Sequence, residues 1–137
     1  MRQIKYIIIH CSATKAGQDF CAKDIKKWHL ERGFSDIGYH KIIDLNGTVE
    51  PGRSEEIPGA HCKGYNANSI GICYIGGLDE NGKPADTRTE AQKKSLLKLI
   101  KSYKLRFPNA KVVGHRDMPN VHKACPCFDA KKEYENI

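Results

Sequence analysis

Tyr6-Ile7-Ile8-Ile9-His10 is the stretch that decides the fold. Three consecutive isoleucines behind a tyrosine leave no polar face, so the run reads as a central strand buried on both sides. It ends at His10, and a polar loop with Gly17 follows over residues 12–19. Ile25, Trp28, His29 and Arg32 then fall at helical spacing, with Ile25 and Trp28 turned inward and Gly33 placed as a stop. Residues 40–43 and 48–50 flank Asp44-Leu45-Asn46-Gly47, and Asn-Gly between two strand-like runs is a hairpin signal. Residues 51–68 carry Gly, Pro, Asn and charges and read as a long loop, a feature often tied to function in a small domain. Ile70-Gly71-Ile72-Cys73-Tyr74-Ile75 is a second continuous strand, closed by Gly76-Gly77, and residues 79–86 form a polar turn region.

Thr89-Glu90-Ala91-Gln92 has the form of a capping box. Leu96, Leu97, Ile100, Tyr103 and Phe107 continue it as an apolar stripe, and Pro108 ends the longest helix. Lys111-Val112-Val113 is a short strand leading into Gly114-His115, and residues 129–137 read as a final short helix. The order β, α, β-hairpin, β, α, β, α predicts an α/β fold: one domain over residues 1–137 with a mixed central sheet flanked by helices.

A chain of 137 residues suits one domain with one core. No apolar run approaches the roughly 20 residues of a membrane span, and the start Met1-Arg2-Gln3-Ile4-Lys5 lacks the apolar core and cleavage site of a secretory leader. Synthesis in the cytoplasm is expected, with no membrane partner. The net charge of +7 favours an anionic partner but is spread along the chain rather than gathered in a basic arm. No DNA- or RNA-reading motif accompanies it, so no nucleic acid is expected. Six cysteines permit a disulfide framework, but without a leader and with enough chain for a core, reduced thiols are the default.

His10 and His115 occupy equivalent places, each just after a β-branched run at the carboxyl end of a strand. Ligands of open α/β sheets collect outside such strand ends. A catalytic zinc takes three protein ligands and leaves a fourth position for water, whose pKa it lowers to about 7. A cysteine, either Cys125 or Cys127 in Cys-Pro-Cys-Phe-Asp, completes a His/His/Cys set, and His122 competes with His115. The absence of a paired Cys-x-x-Cys argues against a closed structural site. Cys11, one residue past His10, belongs to the opposite face and to the core if the strand continues. Cys62 falls in the long loop, where an exposed, oxidisable thiol is expected. His29 and His40 read as structural, His40 facing away from Tyr39.

At this point the residues resemble a family. His10-Cys11-Ser12-Ala13-Thr14, Gly38-Tyr39-His40, His61-Cys62-Lys63-Gly64-Tyr65-Asn66, Ser69-Ile70-Gly71, Gly114-His115-Arg116-Asp117 and Lys123-Ala124-Cys125-Pro126 follow, in order, the pattern of type 2 N-acetylmuramoyl-L-alanine amidases. That family includes phage lysozyme-type endolysins and peptidoglycan-recognition proteins. The resemblance implies one Zn2+ held by His10, His115 and Cys125, catalytic roles for Tyr39 and Lys123, and a substrate-groove position for His61. It implies cleavage of the amide between the lactyl group of muramic acid and L-alanine, with peptidoglycan as partner, a monomer, and action at the cell wall after release or lysis. The alternatives are a non-catalytic peptidoglycan-binding module, a cysteine hydrolase using Cys11 or Cys62, and a charge-driven nucleic-acid binder. Retention of both histidines, the cysteine, Tyr39 and Lys123 favours catalysis.

Overall fold

The computed structural model describes residues 2–137. Met1, the first residue of the segment read for a leader, lies outside the described residues. The elements in chain order are β1 (Tyr6–Cys11), β2 (Thr14–Lys15), α1 (Ala22–Glu31), β3 (Lys41–Ile43), β4 (Val49–Pro51), a 3-10 turn (Asn66–Asn68), β5 (Ser69–Tyr74), β6 (Gly77–Leu78), α2 (Glu90–Arg106), β7 (Lys111–Gly114), a second 3-10 turn (His115–Asp117) and α3 (Ala130–Glu133). Five strands form one mixed sheet in the order β4-β3-β5-β1-β7. β1 lies parallel to both β5 and β7, β3 is parallel to β5, and only β4 runs antiparallel.

The isoleucine run is the centre of this sheet, and Ile7, Ile8 and Ile9 have no exposed surface. Side chains alternate across a strand. Ile7, Ile9 and Cys11 accordingly join Ile70, Ile72, Tyr74, Leu96, Ile100 and Tyr103 in the core shared with α2. Ile8 turns the other way, against Cys62, Val113 and Met118. A third cluster of Ile25, Ile37, Ile42, Cys73 and Ile75 receives α1. His10 shares the Ile8 face, as do Ser69 and Gly71 on β5, because Tyr6 pairs with Ser69 and Ile8 with Gly71. One face of the sheet thus carries the large apolar core and the other carries the polar residues.

The capping box forms as read: Thr89 Oγ1 accepts from the Gln92 amide at 3.0 Å, and Gln92 Oε1 accepts from the Thr89 amide at 2.9 Å. Gln92 is fully buried, and its amide also donates to the Ile75 carbonyl at 2.9 Å, tying α2 to the end of the β5 segment. The hairpin is present with a different turn. Asp44 pairs with Thr48, and only Gly47 has positive φ (+83°), so a type I turn followed by a left-handed glycine closes a three-residue loop. Asp44 Oδ1 favours this form by accepting from the amides of Asn46 and Thr48.

Four expectations are corrected. The loop after Ser12 contains β2, which pairs with β6 to form a second, two-stranded sheet. In α1 the fully turned-in partner of Ile25 is His29, while Trp28 is half-buried against Phe20. The last helix is one turn, Ala130–Glu133, instead of reaching residue 137. Cys62 is buried (4% exposed) rather than presented on the loop surface. All six cysteines are free.

Replacing Gln92 by leucine keeps most of the volume and leaves the buried Ile75 carbonyl without its side-chain donor. Urea unfolding is expected to show a loss of about 1–3 kcal/mol. An unchanged midpoint contradicts this role for Gln92.

Candidate metal centre and its groove

The register of β1 against β7 builds the centre. Ile9 pairs with Gly114, so the next residues, His10 and His115, leave adjacent parallel strands side by side, their ring centroids 4.5 Å apart. His115 opens the 3-10 turn, where Asp117 accepts from the Gly114 amide at 2.8 Å and fixes the exit direction.

The third group arrives from the chain segment after this turn. The Arg116 amide donates to the Cys125 carbonyl at 2.8 Å, Tyr74 Oη donates to the Pro126 carbonyl, and the Cys125-Pro126 bond is cis. Pro126 packs against Gly114, where a Cβ would come within 2.7 Å of its ring. Further along, the buried Arg88 guanidinium stacks on Phe128 at 3.4 Å and ion-pairs with Asp86 and Glu133, pinning the segment's far end. Cys125 Sγ then sits 3.9 Å from His10 Nδ1 and accepts from the Cys11 amide at 3.2 Å. One donor atom from each of His10, His115 and Cys125 lies within 4.8 Å of the others.

This arrangement fits a tetrahedral ion. With nitrogen at 2.0–2.1 Å and sulfur near 2.3 Å, a nitrogen and a sulfur ligand of one tetrahedral ion stand roughly 3.6 Å apart, against 3.9 Å between His10 Nδ1 and Cys125 Sγ. The Cys11 backbone N–H helps to hold the sulfur toward the histidines. Cys127 takes a different course: its Sγ is 3.8 Å from Cys11 Sγ and packs against the core, outside the cluster. His122 is exposed and also lies outside it.

His10 is 1% exposed and its second ring nitrogen is engaged: Nε2 lies 2.8 Å from His61 Nδ1. Burial, then the neighbouring His61, His115 and Lys123, hold the His10 imidazole well below its ordinary pKa. Burial, with smaller contributions from His40 and His115, pushes His61 down to about 3. Burial, followed by Lys123, lowers His115. All three rings are therefore neutral at neutral pH, the state in which imidazole binds metal. The Tyr39 ring stands 5.0 Å from that of His10, and burial raises its phenol pKa, keeping it a proton donor.

A groove of about 1150 Å³ opens beside the cluster, with Arg32, His61, Lys63, Tyr65, His115 and Lys123 among its lining residues. Among the described residues, no carboxylate lines it. Lys123 is exposed on this wall, near enough for its charge to be felt at both His10 and His115. Tyr39 reaches the cluster from the α1 side, so every site residue read from the sequence converges here. His29 and His40 are structural: each ring accepts a backbone N–H, from Gly38 at 2.9 Å and Gly71 at 3.0 Å respectively. Ser69, buried and 3.2 Å from His61 Nε2, was given no role by the sequence. The Ser-Ile-Gly motif that contains it was the available signal.

A His/His/Cys group that could hold a metal ion stands at the strand ends of a mixed sheet in an α/β domain, with a cationic groove beside it. The model of the N-acetylmuramoyl-L-alanine amidase family (Amidase_2) matches residues 1–128. The endolysin of Klebsiella phage KP32 is 42% identical over 134 residues, spanning 98% of this chain and 87% of that protein. N-acetylmuramoyl-L-alanine amidase LysC from Clostridium intestinale superposes with a TM-score of 0.80 at 28% identity, over 96% of this chain and 82% of that one. A Drosophila PGRP-LB mutant in complex with tracheal cytotoxin superposes with a TM-score of 0.80 at 27% identity, over 99% and 82%. The chain belongs to the N-acetylmuramoyl-L-alanine amidase family and is an enzyme of that class.

The neutral, buried histidines make the metal-free protein acid-sensitive. Their folded pKa values lie below the unfolded value of 6.5, so the unfolded chain binds more protons below that pH. Their contribution to stability is complete above about pH 6.5 and is lost progressively as pH falls toward about 3. Denaturant unfolding of chelator-treated protein is expected to show a midpoint that drops between about pH 7 and pH 5. A flat profile contradicts the burial of neutral imidazoles.

Proposed function

We propose that the chain, as a single domain over residues 1–137, hydrolyses the amide between N-acetylmuramic acid and L-alanine in peptidoglycan. It does so with one Zn2+ held by His10, His115 and Cys125. The carrying observation is the convergence of these three donor atoms within 4.8 Å, one of them on a fully buried imidazole. The family match and the complex of a structural neighbour with tracheal cytotoxin, a muropeptide, support the substrate class.

When bound, zinc supplies Lewis acidity and a nucleophile that is available near neutral pH. The protein's own groups do the rest. The groove, free of carboxylates and lined by Arg32, Lys63 and Lys123, attracts a stem peptide that carries carboxylates. His61 forms part of the groove wall against which the substrate lies. The Lys123 ammonium stands beside His115 and stabilises the negative charge that develops on the amide oxygen. Tyr39, held protonated, orients the attacking water or hands a proton to the departing amine. Tyr39 acts from the buried sheet side of the site, where charge interactions are strongest, and Lys123 acts from the exposed groove wall. The protein acts as a monomer at the cell wall after release or lysis, as its similarity to phage endolysins supports.

Digestion of purified peptidoglycan is expected to release peptide stems with free L-alanine amino termini, seen by mass analysis, and to stop with chelator. Release of reducing sugars contradicts the assignment. Lys123→Ala is expected to lower kcat about 100- to 1000-fold while zinc stays bound. Cys125→Ser is expected to lose stoichiometric zinc and Cys127→Ser to retain it. The reverse order overturns the ligand assignment.

A further inference from the structure

The imidazole of His61 is fixed on every side. Its backbone amide and that of Cys62 both donate to Asn66 Oδ1 at 2.9 Å, which anchors the loop. Its ring is slotted between two glycines. A Cβ on Gly71 would approach its Cδ2, Cγ and Nδ1 to 2.6–2.8 Å, and one on Gly59 would meet Cδ2 at 2.6 Å. The glycine at 71 is required by this contact, not by its backbone angle, because φ is ordinary there. Both ring nitrogens are taken, Nδ1 by His10 Nε2 at 2.8 Å and Nε2 by Ser69 Oγ at 3.2 Å, with Ser69 wholly buried. What His61 has left for a substrate is ring surface, without a free polar atom.

A neutral imidazole carries one N–H, so the bond to His61 decides which His10 nitrogen is bare. When His61 accepts at Nδ1 and donates from Nε2 to Ser69, His10 carries its proton on Nε2 and turns a bare Nδ1 toward Cys125. We propose that His61, held by Ser69 and Gly71, is a positioning residue that locks His10 in the metal-binding tautomer and orientation. This rests on the zinc reading above. It deepens that reading by giving His61, a groove-wall residue, a second task in the support of the centre. Partners of this kind on a ligand's second nitrogen typically change metal affinity about 10- to 100-fold.

The test is zinc affinity by chelator competition, with the visible spectrum of the cobalt-substituted protein as a second readout. His61→Leu is expected to weaken zinc binding about 10- to 100-fold and to alter the cobalt spectrum. His61→Asn, whose amide oxygen can stand where Nδ1 stood, is expected to recover most of the affinity. Ser69→Ala is expected to fall between parent and His61→Leu. Should His61→Leu not fold, His61→Asn against His61→Gln decides, since asparagine replaces the acceptor to His10 and glutamine the donor to Ser69. The proposal requires asparagine to bind zinc at least about tenfold more tightly, and equal affinities overturn it. His61→Leu with parental zinc affinity and a raised KM overturns it too and leaves His61 a groove-wall residue alone. A parent protein that takes up no zinc overturns the zinc reading itself, and this proposal with it.

Discussion

The pairing of Ile9 with Gly114 is the constraint on which the site depends. It sets β1 and β7 in parallel register, so that the chain delivers one histidine from each strand to the same level. A slip of one residue in either strand turns its side chains to the opposite face. His10 would then enter the α2 core, and Ile9 would face the groove. The register is held by burial on both faces, because Ile7 and Ile9 fill one core while Ile8 and Val113 fill another. The hydrophobic run that opens the chain therefore fixes the reach of the chemistry as well as the fold.

Around this pair the protein solves an electrostatic problem by keeping its buried groups neutral. Three imidazoles crowd one face of the sheet, and burial lowers all of them. The cationic side chains stand outside, along the groove, where water screens them. The backbone also contributes: the Cys11 amide points at Cys125 Sγ, and Asn66 gathers the loop that bears His61. Cys11 thus serves the core through its side chain and the site through its amide.

Much of this was legible in the sequence, for definable reasons. The isoleucine run of β1, a capping box at Thr89 and an Asn-Gly hairpin are local signals with local causes, and they appear where read. The convergence of His10, His115 and Cys125 was legible because the two histidines sit at equivalent strand ends and the Cys125 segment falls in order behind them. What escaped lacked a local cause. Two-residue strands such as β2 and β6 carry no periodicity. The three-residue turn at Asp44 depends on side-chain acceptance by Asp44 as much as on Asn-Gly. Cys62 is buried by packing against Ile8, Val113 and Met118, and the bond from His10 to His61 spans 51 residues, with room for the His61 ring left by the bare backbone of Gly71.

The central claim is a centre of two imidazoles and one thiolate. X-ray absorption at the zinc edge of the purified protein tests it most directly. The account predicts one zinc per chain with a single sulfur neighbour near ~2.3 Å and nitrogen neighbours at ~2.0–2.1 Å. A spectrum without sulfur, or with two sulfur neighbours, contradicts it.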